Sequence, residues 1–169
     1  MKSRLLKIVF GAMLFFGTTQ LTYAQVVVVS VNSWMESIDE NDLTVPLEAG
    51  YDIDPELETS TSFNQLDVLN VAKAKDWKVT VSRRDINWPG ALTLSVKRTS
   101  PGTPCMGCAG VDGGTSPATY IPVTGSEQDF IFGTGEVNNV NIQMKIEGLS
   151  LTIDADSYST EVIYTLFGD

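Results

Sequence analysis

The chain of 169 residues contains no histidine and only two cysteines, and its 11 Lys and Arg are outnumbered by 21 Asp and Glu. Without histidine there is no imidazole acid–base catalysis, no Ser-His-Asp triad and no histidine-ligated metal. Two cysteines cannot build a four-thiolate zinc centre. Beyond the amino-terminal segment no stretch approaches the roughly 20 apolar residues that a membrane helix needs. A formal charge of −10 disfavours nucleic acid and anionic membrane surfaces as partners. Helical periodicity is missing too, because apolar residues nowhere recur at three-four spacing over a window of about eleven residues.

What is present begins with MKSRLLKIVFGAMLFFGTTQLTYAQ. Lys2, Arg4 and Lys7 precede an apolar run from Ile8 to Phe16, and Thr22-Tyr23-Ala24 supplies small residues for processing. This is the build of a secretory signal peptide over residues 1–24, with the exported chain starting near Gln25. Its removal takes away three cations and no anion, which lowers the balance from −10 to −13. The remaining stretch, 25–169, suits a single domain able to bury about 68–70% of its unfolded surface.

Alternation with a period of two runs through most of that stretch. Trp77, Val79 and Val81 share one face of DWKVTVSRR, and Leu92, Leu94 and Val96 share one face of ALTLSVKR. Val140, Ile142, Met144 and Ile146 alternate with polar residues in NVNIQMKIEG. In the closing stretch Tyr158, Thr160, Val162, Tyr164 and Leu166 form one row and Ser159, Glu161, Ile163 and Thr165 the other. Strands with one greasy and one wet face read as antiparallel sheets. Adding VVVVSV, DLTVPL, FNQLDVLNV, TYIPV and DFIF predicts about eight or nine short strands. The expected fold is all-β, an antiparallel β-sandwich of Ig-like or Greek-key winding.

Two segments break the rhythm. MESIDENDLTVPLEAGYDIDPELETS is acidic, and Thr99 to Pro117 consists mostly of Gly, Pro, Ser and Thr and reads as a long connection protruding from one end of the sandwich. Cys105 and Cys108 lie in that connection. A redox pair would sit at a helix start, and haem attachment would need a histidine where Ala109 stands. A local disulfide formed after export is the favoured reading; enclosing so few residues, it stabilises little through chain entropy. In the acidic run Asp52, Asp54, Glu56 and Glu58 fall at every second position. They are weak calcium candidates, because the run lacks the glycine turn of a calcium loop, and a solvated acidic face is the simpler reading.

No constellation points to catalysis, so no enzyme activity and no cofactor are expected. Carboxylate pairs abound in so acidic a chain and single out no hydrolase site. Among the aromatics, Trp77 falls in an apolar row and reads as core, whereas Trp88 precedes Pro89-Gly90 in a turn and is the candidate ligand contact on which a glycan would stack.

The ends bear on assembly. Val26, Val27, Val28, Val29 and Val31 form an apolar extended run directly behind the expected processing site, a candidate for strand exchange with a neighbouring subunit. The closing stretch follows NIQMKIEGLSLTIDAD, with turn residues that let it fold back locally onto the strand before it. The ending ADSYSTEVIYTL after the Val140–Ile146 strand resembles that of secreted bacterial surface sandwiches such as spore-coat-U-like and other fimbrial subunits, or cell-wall-binding surface domains. The resemblance covers about the last thirty residues, and the cysteines, three apart in one loop, depart from the fimbrial pattern. It implies an exported structural or adhesion protein, a fimbrial or surface-layer subunit assembling by strand addition with copies of itself or other surface subunits. The alternative is an extracellular carbohydrate- or ligand-binding module using Trp88 and the Thr99 to Pro117 loop. Either is located at the cell surface, outside the cell or in the periplasm.

Overall fold

The structure is a computed structural model that describes residues 25–30, 34, 56–114, 119–150, 153–154 and 156–168. The expected signal peptide, the DLTVPL strand, Val31, Asp52 and Asp54 lie outside the described residues. Among the described residues eleven strands follow one another: β1 (Val26–Ser30), β2 (Glu56–Glu58), β3 (Asn64–Leu69), β4 (Asp76–Asn87), β5 (Thr93–Arg98), β6 (Thr103–Pro104), β7 (Gly110–Gly114), β8 (Ile121–Pro122), β9 (Gln128–Thr134), β10 (Val137–Glu147) and β11 (Ser159–Gly168). The excess over eight or nine comes from β2, β6 and β7, which lie inside the two segments that show no alternation. The stretch from Thr99 to Pro117 is therefore not one protruding loop: β6 pairs with β10 in one sheet and β7 with β9 in the other.

All pairings are antiparallel, and they make two sheets packed face to face. The larger has the order β1-β3-β10-β5-β8, and the smaller the order β11-β4-β9-β7. From β3 onward nearly every connection crosses between layers, so that β3, β5, β8 and β10 lie in one and β4, β7, β9 and β11 in the other. This is Greek-key winding of the jelly-roll kind. The larger sheet is organised by β10, which is bordered by β3 and then β2 along one edge and by β6 and then β5 along the other.

The inward rows form the core. Leu66, Val68, Val96, Val140 and Ile142 of the larger sheet and Val79, Val81, Phe130 and Ile131 of the smaller are wholly buried. Two irregularities set the phase of these rows. Between Val137 and Val140 the register of β10 against β3 slips, with Asn139 in the left-handed region at φ 58° and its N–H donated to Asp67 Oδ1 at 2.6 Å. The extra residue turns Val137 inward along with the even-numbered row, as a bulge does. Gly102 meets this bulge at φ 70°, and a Cβ there would press on Val140 Cγ2 at 2.9 Å. The second slip, in β9 against β4, lets the consecutive residues Phe130 and Ile131 both bury completely.

Register places Val79, Val81 and Arg83 of β4 beside Leu166, Tyr164 and Val162 of β11 on the inner face. Their depths differ, since Val79 and Val81 are fully buried whereas Val162, Tyr164 and Leu166 are half-buried at the margin. Leu94→Ala is accordingly expected to cost about 2–4 kcal/mol, and Val162→Ala about 1 kcal/mol because its site is already open to water. Chemical denaturation of both variants checks this, and equal losses would contradict the assigned depths.

Candidate functional site

Each sheet has two edges, and the fold treats its two flanks differently. On one flank are β8, two residues including Pro122, and β7, which carries Gly110, Gly113 and Gly114. Short strands, proline and glycine are the usual protections of a sheet edge. On the other flank β1 and β11 run beside each other without joining the sheets by hydrogen-bonded pairing. Gly168 packs directly on the Gln25 side chain, so the residue that precedes β1 and the end of β11 meet there.

β1 pairs only with β3 among the described residues, from Val26 opposite Leu69 to Ser30 opposite Gln65. Val27 faces Val68 and packs at the core margin, while Val28 is 41% exposed. The candidate exchange segment Val26–Val29 is thus an edge strand of the larger sheet. β11 is twice as long at ten residues, and it does not fold back on β10; it crosses to the smaller sheet and pairs with β4. The local fold-back expected from the turn residues does not occur, and Asp154 and Asp156 instead contact Tyr158 and the end of β4. Tyr158 Oη donates to the Asp154 carbonyl at 2.5 Å, and Asn87 Nδ2 reaches Asp156 Oδ2 at 3.3 Å, which ties the approach to the end of β4. On the outer face of β11, Ile163 is 41% and Phe167 45% exposed. The only charge in β11, Glu161, is paired with Arg84 of β4.

Tyr164 projects inward from β11 with its ring centroid 5.9 Å from that of Phe130. Its hydroxyl is buried without a hydrogen-bond partner among the described residues, and burial pushes its pKa well above the usual phenol value. The folded chain therefore holds this proton more tightly than the unfolded chain does. The resulting stability is complete below about pH 10 and is lost as pH rises further, at up to about 1.4 kcal/mol per unit. Tyr164→Phe should remove that share of the alkaline loss, and at pH 7 it should stay within about 1 kcal/mol of the parent or exceed it, because it deletes an orphan hydroxyl. Urea titrations of both proteins at pH 7 and pH 11 measure the difference.

Trp88 sits at the far end of β4 and is half-buried against the core margin. Its Nε1 donates to the Leu92 carbonyl at 2.9 Å, and the Arg83 guanidinium lies 5.5 Å from its ring. Arg83 Nε in turn is 3.3 Å from Asp85 Oδ1. One face of the candidate ligand contact is therefore already occupied by a cation of the same chain.

Cys105 and Cys108 lie at disulfide distance, with Cα atoms 5.1 Å apart, in the turn that carries the chain from β6 to β7 and hence from one sheet to the other. Cys105 N donates to the Glu136 carbonyl at 3.0 Å, and Cys108 packs under Gly135, so the pair anchors the crossover to the start of β10. Met106 between them is 90% exposed.

Of the acidic run, Glu56 and Glu58 enter β2 and pair with β10, Glu58 opposite Lys145. Gln143 Nε2 donates to Glu58 Oε2 at 3.2 Å, so this carboxylate joins the polar outer row of the larger sheet. Among the described residues no group of three or more acidic or cysteine side chains comes together to hold a metal ion. In the same outer row Lys97 and Lys145 bracket the ring of Tyr120, at 4.2 and 4.7 Å from its centroid, and Lys145 also meets Glu147 at 3.0 Å. Sequence reasoning did not single out this clasp, because Tyr120 is far from both lysines along the chain.

Arg98 went unnoticed for a different reason. It continues the row of Leu94 and Val96, stands opposite Ile142 and faces inward, only 8% exposed. Its Nε and Nη1 have no hydrogen-bond partner, no ion pair forms among the described residues, and desolvation holds its pKa below the usual value. Parity alone would have placed it inside. No protein-family model, curated protein or solved structure matches the chain.

Proposed function

We propose that the chain is an exported, non-enzymatic structural or adhesion subunit that assembles at the cell surface by strand addition, with β1 as the exchanged element. The observation that carries this reading is the position of β1. The first strand after the expected processing site is a charge-free edge strand, bonded only to β3 among the described residues. The backbone bonds that β1 makes to β3 are the same whether the strand comes from its own chain or from a neighbour. Leaving its place would uncover the flank of Leu66 and Val68, both wholly buried, which gives an incoming strand an apolar bed.

Electron microscopy and a gel run with and without heating test the proposal. Polymers or a heat-sensitive ladder are expected from the processed chain, and deletion of residues 25–30 should abolish them. A monodisperse monomer whose size the deletion leaves unchanged would count against it. A second reading, a glycan- or ligand-binding module, is favoured by the Arg83–Trp88 stack alone, which pairs an aromatic face with a cation whose Nε is engaged by Asp85 and whose Nη1 makes no hydrogen bond among the described residues. Glycan-array binding that disappears in Trp88→Ala would select it.

A further inference from the structure

We infer that β11 is a second assembly surface, at which two copies of this chain pair their last strands antiparallel about a two-fold axis at Ile163. The inference concerns an edge other than β1 and does not depend on strand exchange. It starts from what an edge strand presents: a row of backbone N–H and C=O groups on the side away from its partner, for which another strand is the natural occupant. Among the described residues β11 pairs only with β4, so its ten residues offer such a row up to the Gly168 end that packs on Gln25, with neither proline nor lysine among them. Its one irregularity in register, between Ser159 and Thr160, lies at its first residues and leaves the rest regular. The inner row Val162, Tyr164 and Leu166 is only half-buried, and the outer row exposes Ile163 and Phe167. Apolar surface therefore remains uncovered on both faces of the same strand.

Charge selects the occupant. The chain carries −10 overall, so most of its surface repels another copy. The strands of the β1/β11 flank carry little of this charge, since β1 bears none and the single carboxylate of β11 is held by Arg84. A cationic partner would find more attraction elsewhere, whereas a second copy meets less repulsion at the middle of β11 than on the rest of the surface.

Charge and parity also select the register. Pairing about Ile163 sets Ile163 against its own counterpart, Glu161 against Thr165 and Phe167 against Ser159. Inner residues then stay with inner residues and outer with outer, as the pleat demands. The two Glu161 side chains are kept four residues apart along the strands, about 13 Å at 3.3 Å per residue. That exceeds the screening length of about 8 Å at physiological salt. Pairing about Glu161 would set like charges face to face, which is destabilising. The two smaller sheets would join into one continuous sheet through an isologous interface.

Cross-linking reads the register directly. In the processed chain with Cys105 and Cys108 both changed to Ser, Ile163→Cys should form a covalent dimer on mild oxidation, because opposed Cα atoms are about 4.5–5.5 Å apart and a disulfide spans that distance. Glu161→Cys should not cross-link, and the pair Glu161→Cys with Thr165→Cys should. By sedimentation equilibrium, Ile163→Lys should raise the dimer dissociation constant at least about tenfold, a change of about 1.4 kcal/mol, while circular dichroism stays that of the parent. The inference is overturned by a processed chain that stays monomeric at about 100 μM, by a dimer that survives Ile163→Lys, or by cross-linking of the Glu161→Cys variant equal to that of the Ile163→Cys variant. Loss of the dimer on deletion of residues 25–30 with Ile163→Lys silent would also overturn it, and would point to β1 instead.

Discussion

Trp77→Ala is expected to lower the folding free energy by about 3–5 kcal/mol, the range for removing a large aromatic from a packed core. Trp77 opens β4 at 3% exposure and lies across the backbone of β9, opposite Gly133. A Cβ on Gly133 would overlap the Trp77 ring and come within 2.6 Å of the Gly110 carbonyl oxygen, so three strands meet around this indole with no room for a side chain from the middle one. The indole Nε1 donates to the Gly135 carbonyl at 2.6 Å, which ties the turn between β9 and β10 to β4. Two terms therefore add in the alanine variant, a cavity at the point where β4, β7 and β9 converge and a buried carbonyl that loses its donor. Trp77→Phe separates them, filling most of the volume while leaving Gly135 unpaired. Guanidinium unfolding curves with unchanged slope would measure both, and a loss under about 1 kcal/mol in the alanine variant would show that the ring is not the anchor of the smaller sheet.

Arg98→Met should move stability the other way, raising it by about 1–3 kcal/mol. The Nε and Nη1 edge of a guanidinium in the inner row forfeits its hydration, and Arg98 recovers little in return, since these two atoms find no acceptor among the described residues and the strand opposite presents Ile142. Methionine keeps an unbranched stem of similar length and carries no charge. Arg98→Lys retains the charge and should bring no gain. A methionine variant that is less stable than the parent would mean that the guanidinium is held by an acceptor worth more than its desolvation. The next step would then be to identify that acceptor by screening acidic residues for a coupled loss.

Both predictions start from parity, and parity is the part of this protein that could be read along the chain. The rows containing Trp77, Val79 and Val81, and Leu94 and Val96, are inward as their spacing predicted. Where the chain adds a residue, local reading fails: Val137 is out of phase with Val140, and Phe130 and Ile131 are consecutive, yet all are buried. The glycine-rich connection hides β7 because its three glycines have no side chain to alternate, although the strand pairs with β9 and packs Val111 against the core. Trp88 looked like an exposed turn residue, but the cation that covers one face comes from Arg83, which the end of β4 carries back alongside it.

Residue order alone dictates that the chain is all-β and layered, because a pleated strand puts successive side chains on opposite faces and every row of alternating residues reports this locally. It took the packed sheets to establish that β11 borders β4 rather than β10, and that among the described residues Arg98 Nε and Nη1 lack an acceptor and β1 and β11 form the edges of one flank. Backbone hydrogen bonds between strands are alike whichever strands make them, so partner choice depends on how two whole sheets pack and not on any single stretch of residues.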